Sequence, residues 1–192
     1  GLDRLPPTGT LTLPAFASSP TITAQLSATD MGPSGFAGWG LSNNWRWEGE
    51  DKLAQGYVLG AGGVVSDAQA LNGRALFAPL GSSIIWYGPY TFDLPIGQGY
   101  RAYFRLKTNT ITTTSQLAKL DVVADGANPI GIKRIYGTDF RALNQYQEFF
   151  VDFNYVVSPT LGVEFRVDSE GALPGDLYLD RVLVATYPLT TP

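Results

Sequence analysis

The feature that most constrains this chain is a two-residue hydrophobic period with almost no helical periodicity to compete with it. Tyr100 to Lys107 (YRAYFRLK) places Tyr100, Ala102, Phe104 and Leu106 on one face and Arg101, Tyr103, Arg105 and Lys107 on the other. That is the signature of a half-buried antiparallel strand. Just before it, Pro95-Ile96-Gly97-Gln98-Gly99 supplies the fixed φ and the permissive glycines of a tight connection. Ile84 to Phe92 then reads as an aromatic first arm, with Trp86, Tyr87 and Tyr90 around Gly88-Pro89. A Gly-Pro pair inside a strand calls for an edge, a bulge or a bend. The whole stretch is expected to form a hairpin with an irregular first arm.

The same period recurs in Phe149 to Tyr155 and Gly162 to Asp168, and further strands are expected at Tyr57 to Leu59, Val64 to Asp67, Leu117 to Val123 and Gly131 to Tyr136. About ten short strands with regular turns predict an antiparallel β-sandwich of the jelly-roll kind. At 192 residues the chain suits one sizeable core. Ahead of it lies a Pro-dotted stretch with many apolar anchors, in which short strands are expected near Thr10 to Leu13 and Thr21 to Leu26. The expected organisation is an extended N-terminal arm over residues 1–44, a sandwich over 45–186, and a linker or tail over 187–192.

Composition narrows the chemistry. The chain has no Cys and no His, which removes disulfides, thiolate metal sites, cysteine nucleophiles and the commonest general base. A serine hydrolase triad, a zinc hydrolase and a cysteine protease are therefore excluded. Carboxylate pairs, Tyr or Lys bases and oxygen-ligated cations such as calcium remain. The 13 Lys and Arg residues are scattered and the formal net charge is -4, so no electrostatic footprint for nucleic acid or an anionic membrane is present. No apolar run nears the ~20 residues that would cross a bilayer, and no membrane insertion is expected. Gly, Pro, Thr and aromatic content point to an extracellular or cell-surface protein. A start on Gly1 rather than Met is expected of a mature or excised piece whose export signal has been removed.

Three stretches carry candidate chemistry. Asn44 to Lys52 (NWRWEGEDK) as a strand puts Trp45 and Trp47 on one face and Arg46, Glu48 and Glu50 on the other; carboxylates at this spacing can share a cation. Asp176 to Thr186 (DLYLDRVLVAT) shifts its apolar set from Leu177 and Leu179 to Val182 and Val184, so a bulge or a special site is expected at Asp180. Thr138 to Glu148 (TDFRALNQYQE) is the one stretch suited to a turn or two of helix, and its Asp139, Arg141, Asn144 and Gln145 are side chains that hydrogen-bond sugars or amides. The Gly60 to Gly63 run is no dinucleotide fingerprint, since the third glycine and a following helix are missing.

Taken in order, Glu48-x-Glu50, a glycine-rich loop, Leu94-Pro-x-Gly-x-Gly-Tyr100 with its alternating strand, and Leu177-Tyr-Leu-Asp-Arg-Val182 resemble the galactose-binding-like β-sandwich of carbohydrate-binding modules, families 6 and 35 especially. The resemblance covers roughly Trp45 to Thr186 as a pattern. It implies that an early acidic pair and a late aspartate meet at a structural calcium, here Glu48, Glu50 and Asp180. The usual Ala-Glu opening is replaced by Trp47-Glu48-Gly49-Glu50, and the residues before Trp45 have no counterpart in such a module.

The leading expectation is non-catalytic binding of a polysaccharide or glycan. Flat rings stack on the apolar faces of sugars while amides, carboxylates and Arg take the hydroxyls. Trp86, Tyr87, Tyr90 and Trp39 are the candidate platforms, with Arg141, Asn144 and Gln145 as polar partners. A second expectation is assembly: a surface-layer, filament, adhesin or virion subunit whose arm adds strands to copies of itself. A third is a jelly-roll glycosidase or polysaccharide lyase, which calls for two carboxylates facing one another across a cleft. Glu48 and Glu50 share a strand and do not provide that.

Overall fold

The computed structural model describes residues 8–12, 25–29, 45–126, 128–156 and 160–187. The chain divides into two units, Gly1–Ser42 and Asn43–Pro192. In the first, β1 (Thr8–Thr12) and β2 (Gln25–Thr29) pair antiparallel, with Thr8 opposite Thr29 and Thr12 opposite Gln25. The strands expected in the arm therefore exist with shifted bounds, and they pair with each other.

The second unit carries the sandwich. Its elements in order are β3 (Trp45–Glu48), the single helical turn α1 (Asp51–Ala54), β4 (Val58–Gly60), β5 (Gly63–Ser66), β6 (Arg74–Ala78), β7 (Ile84–Trp86), β8 (Gln98–Thr108), β9 (Gln116–Ala124), β10 (Asn128–Tyr136), β11 (Gln147–Tyr155), β12 (Val163–Asp168) and β13 (Leu177–Tyr187). They form a five-stranded sheet ordered β10-β9-β12-β7-β4 and a larger sheet ordered β11-β8-β13-β6-β5, to which β3 adds by pairing with β13. Every pairing is antiparallel. The chain passes between the sheets repeatedly, and the edge strands of the two sheets are successive in sequence, β4 with β5 on one side and β10 with β11 on the other. No helix among the described residues is long and apolar enough to cross a membrane.

Alternation explains the core. Tyr100, Ala102, Phe104 and Leu106 of β8 are fully buried and face Leu120, Val122, Phe165 and Val167 of the other sheet within one apolar cluster. The two sheets meet through rings: Trp47 stacks on Phe165 at 5.1 Å, and Phe153 meets Phe165 edge-on at 6.1 Å. Packing of this kind dominates the stabilisation of a sandwich.

The expected hairpin of Ile84–Phe92 with Tyr100–Leu106 does not form. Strand β7 lies in the five-stranded sheet between β12 and β4, whereas β8 lies in the other sheet between β11 and β13. Gly88-Pro89, with Gly88 at φ 63, ends the strand after Trp86, and the chain rejoins that sheet by one bridge from Thr91 to Val163 before crossing over. A short apolar run between turns cannot declare which sheet it enters. Strand β6 (RALFA) carried no strand signal because Ala and Leu favour helices and four of its five residues are apolar. The stretch expected to be helical, Thr138–Glu148, holds a 3₁₀ turn at Gly137–Asp139 and then bends.

Strand β13 is the hub. One of its edges runs along β8 from Leu177 to Tyr187; the other is shared by β6, opposite Leu177–Leu179, and β3, opposite Arg181–Val184. The register shift expected at Asp180 falls where these partners change, between Leu179 and Arg181. Gly49 crosses β13 at the same level, and its N–H donates to the Asp180 carbonyl. A Cβ on Gly49 would stand 2.1 Å from the Leu179 carbonyl oxygen, whereas one on Gly63 would meet nothing within 4 Å. Gly49→Ala is expected to lower the unfolding free energy in urea by roughly 1–3 kcal/mol, and Gly63→Ala to change it by less than about 0.5 kcal/mol.

Candidate functional site

The 3₁₀ turn is followed by a loop that folds back onto itself before β11. Gln147 holds it: its Oε1 accepts the Arg141 N–H at 3.0 Å and its Nε2 donates to the Asp139 carbonyl at 2.9 Å. Asn144, at φ 55, donates its backbone N–H to the Thr108 carbonyl at 2.8 Å, tying the loop to the end of β8. The result is an open pocket of about 450 Å³ lined by Arg141, Ala142, Gln145, Tyr146, Gln147 and Glu148. Arg141 and Gln145, both singled out in the sequence, are in the lining; Asn144 is exposed beside it and does not line it.

From the pocket the outer face of the larger sheet runs away along β11, β8 and β13. Register sets Glu148, Arg105 and Arg181 in one row, and Phe150, Tyr103 and Leu183 in the next. The Arg105 guanidinium lies over the Tyr146 ring at 4.4 Å, and Lys107 lies between the rings of Tyr146 and Tyr178 at 4.9 and 4.4 Å. Tyr146 donates its hydroxyl to Asp67 at 2.8 Å, and Lys107 donates to the same carboxylate. Burial and the Asp67 charge both push the Tyr146 phenol well above its ordinary range, so it stands as a hydrogen-bonded phenol and not as a base. Farther along, Arg101 is sandwiched between Phe150 and Tyr187 at 3.9 Å from each ring and forks onto Asp152 at 2.6 and 2.8 Å. Tyr146 and Gln147 were not assigned roles from sequence, and Glu148 only as a conceivable second carboxylate for a glycosidase. The Q-Y-Q-E run was visible, but nothing in it says that the loop closes on itself.

The acidic residues converge at the end of β3. Glu50 lies past the strand end, at the residue that precedes α1, where its side chain makes no capping bond; this corrects its expected place on the strand face. Asp180 is fully buried with both oxygens engaged, Oδ1 by the Leu71 N–H at 3.1 Å and Oδ2 by Arg105. Among the described residues no three His, Cys, Asp or Glu side chains are gathered as an ion would hold them. Glu48 and Glu50 differ from it. Glu48 bonds Arg46 through Oε1 at 2.8 Å and Glu50 bonds Asn72 through Oε1, but each keeps a buried Oε2 with no partner. Burial raises the Glu48 pKa, Arg46 opposes this, and the charges of Asp180 and Glu50 push it up further. Arg181, opposite Glu48 in the strand pair, also draws its pKa down; two buried carboxylate oxygens without a partner are nonetheless donors of the kind a hard, oxygen-seeking cation takes.

The expected aromatic platform separates into different environments. Trp86 is fully buried, with its Nε1 donating to the Ala61 carbonyl at 2.9 Å, so its ring packs the core and meets no ligand. Tyr87 is half-buried and Tyr90 is 41% exposed; with Tyr57, unassigned from sequence, they form three mutually edge-on contacts at 5.4 to 6.4 Å. Beneath them Lys52 is buried, its ammonium donating to the carbonyls of Tyr87, Gly88 and Phe165. This cluster sits at the Val163–Ala124 end of the five-stranded sheet, whereas the pocket loop follows Tyr136, which pairs with Gln116 at the far end of β9. Tyr87 and Tyr90 therefore do not join Arg141 and Gln145, being separated by about the length of β9, at ~3.3 Å per residue. Trp39 lies outside the described residues.

No family model matches the sequence, and no curated protein is similar to it. Solved structures similar to it include the C-terminal family 6 carbohydrate-binding module of LamC from Zobellia galactanivorans, at 11% identity and a TM-score of 0.46, over 74% of this chain and 99% of that one. A family 36 module of a xylanase from a Trinervitermes trinervoides hindgut metagenome is similar at 10% identity and 0.45, over 77% of this chain and 100% of that one. The family 22 module and catalytic module of xylanase 10B from Clostridium thermocellum are similar at 13% identity and 0.45, over 71% of this chain, which spans 27% of that enzyme. The antiparallel two-sheet sandwich read from the sequence is the fold this chain adopts.

Proposed function

We propose that this protein is an extracellular, non-catalytic carbohydrate-binding module whose ligand enters the pocket of Arg141, Gln145, Tyr146, Gln147 and Glu148. The observation that carries the reading is that pocket: amides, a phenol, a guanidinium and a carboxylate converge in a concavity of about 450 Å³ held by the fixed loop. Sugar hydroxyls are met by such a mixture of donors and acceptors. The outer sheet face beyond it, with Tyr103 and Phe150 as exposed or half-exposed rings, offers a continuation for a longer glycan.

Binding without cleavage is supported by the lining. Its one carboxylate, Glu148, is paired with Arg181 at 3.2 Å, whereas glycoside hydrolysis ordinarily uses two. The assembly alternative keeps as support only the outer edges of the β1–β2 ribbon, so it is not adopted. In a glycan array followed by titration calorimetry, at least one polysaccharide is expected to bind. Gln145→Ala is expected to weaken it by about tenfold, ~1.4 kcal/mol, without changing the melting temperature. Trp86→Ala is expected to cost ~3–5 kcal/mol of stability instead, because it empties a core position. An array blank for every glycan, with Gln145→Ala folded, would remove the reading.

The free oxygens of Glu48 and Glu50 further support a structural calcium at the end of β3. The ion would join the edge strand β3 to the turn that follows, and so act on stability rather than on the sugar directly. Glu48 has a folded pKa raised above its unfolded value of 4.5, so without a cation stability falls as pH rises from 4.5 through the folded value. In chelator at neutral pH, Glu48→Gln is expected to melt no lower than the wild type. Added calcium is expected to raise the wild-type melting temperature and leave that of Glu48→Gln unchanged. Equal responses of the two proteins to calcium and chelator would overturn the assignment.

A further inference from the structure

We infer that the pocket recognises an anionic group, a carboxylate or sulfate ester carried by an acidic saccharide, through the guanidinium of Arg141. This deepens the carbohydrate-binding reading and rests on it. Arg105, Lys107, Arg181 and Arg141 stand in or beside the pocket. Three of them have a carboxylate of their own: Arg105 pairs with buried Asp180, Lys107 with Asp67, and Arg181 with Glu148. Among the described residues no carboxylate lies within 4.0 Å of the Arg141 guanidinium.

The acids that could have neutralised Arg141 are committed elsewhere. Asp139, two residues earlier, accepts the Tyr136 N–H at 2.8 Å and closes the 3₁₀ turn. Glu148, the acid in the lining, faces Arg181. Gln147 meets Arg141 only at its backbone, taking the N–H at 3.0 Å. One positive charge is thus left over at a polar concavity in a chain whose formal net charge is -4. A neighbouring carboxylate would have been the simplest partner for a purely structural arginine.

Its setting distinguishes this arginine from an ordinary solvated one. The Arg141 backbone is fixed by Gln147, and the same loop is tied to β8 through Asn144 and Thr108. The backbone that carries the guanidinium is therefore held in place before a ligand arrives, so the loop's share of the ordering cost is already met. Its planar fork matches two oxygens of a carboxylate or a sulfate, which a sugar hydroxyl does not offer. The Gln145 amide, also in the lining, stands by for the neighbouring hydroxyls.

The test is titration calorimetry of the full chain with three probes: an oligogalacturonate, a sulfated galacto-oligosaccharide, and neutral xylo- and laminari-oligosaccharides. At least one acidic probe is expected to bind more tightly than the neutral ones, with affinity falling as salt is raised. The two acidic probes separate the carboxylate from the sulfate. Arg141→Gln is expected to weaken the acidic probe by about tenfold or more, Arg141→Lys to weaken it less, and neither to shift the melting temperature, since the side chain is exposed. If Arg141→Gln binds the acidic probe as the wild type does, or if neutral probes bind as tightly as acidic ones, this inference fails while carbohydrate binding stands. If no probe and no glycan in the array binds, both fail together.

Discussion

The buried carboxylate of Asp180 is the fixed point of the sandwich. It lies at the one register shift of β13, where the strand exchanges β6 for β3 along one edge while keeping β8 along the other. A bulge leaves backbone and side chain out of the regular ladder, and here both are used. The carbonyl takes the Gly49 N–H, and the carboxylate takes Leu71 N–H and Arg105. Removing Arg105 would leave the fully buried Asp180 carboxylate short of its charged partner, a loss that typically costs ~3–5 kcal/mol. That pair also fixes Arg105 under Tyr146, so the bulge holds a wall of the pocket from the inside.

A division of labour between the sheets follows. The outer face of the five-stranded sheet is occupied by internal charge pairing: Arg166 forks onto Asp121 at 2.8 and 2.7 Å, and Lys119 reaches Asp168 and Glu170 at 3.2 and 3.0 Å. Charges so matched among themselves leave little for a partner. The outer face of the larger sheet instead interleaves rings with cations, and at its end next to β11 the pairing stops one carboxylate short. Beneath the tyrosine cluster, Lys52 joins α1 to the 87–88 turn and to β12 by three carbonyl acceptors. An ammonium so held costs desolvation, and burial accordingly lowers its pKa while Glu164 raises it. Its role there is to bind three backbone segments together.

Much of the fold was legible because a half-buried strand writes its period directly into the sequence. Strands β8, β9, β11, β12 and β13 each alternate long enough to be read, and the shift at Asp180 was visible as a phase slip in DLYLDRVLVAT. The short elements were not legible. RALFA and IIW each fit more than one structure when taken alone, and only their partners decide. For the same reason the Gly88-Pro89 turn read as a kink within one hairpin, though it marks the departure from one sheet towards the other.

The candidate site divides along the same line. The sequence by itself determined which chemistries were open: no thiol, no imidazole, and a loop of Arg141, Asn144, Gln145 and Glu148 rich in hydrogen-bonding groups. It also placed Glu48, Glu50 and Asp180 as residues to be compared. Only the tertiary structure decided that Trp86 is core, that Tyr87 and Tyr90 stand at the opposite end of β9 from the pocket, and that Asp180 is spent on Arg105 while Glu48 and Glu50 each keep a free oxygen. The reason is physical: residue type and period are local properties of the chain, whereas burial and charge pairing depend on contacts between strands far apart in sequence. Whether an arginine has a partner cannot be known until every carboxylate near it has been placed.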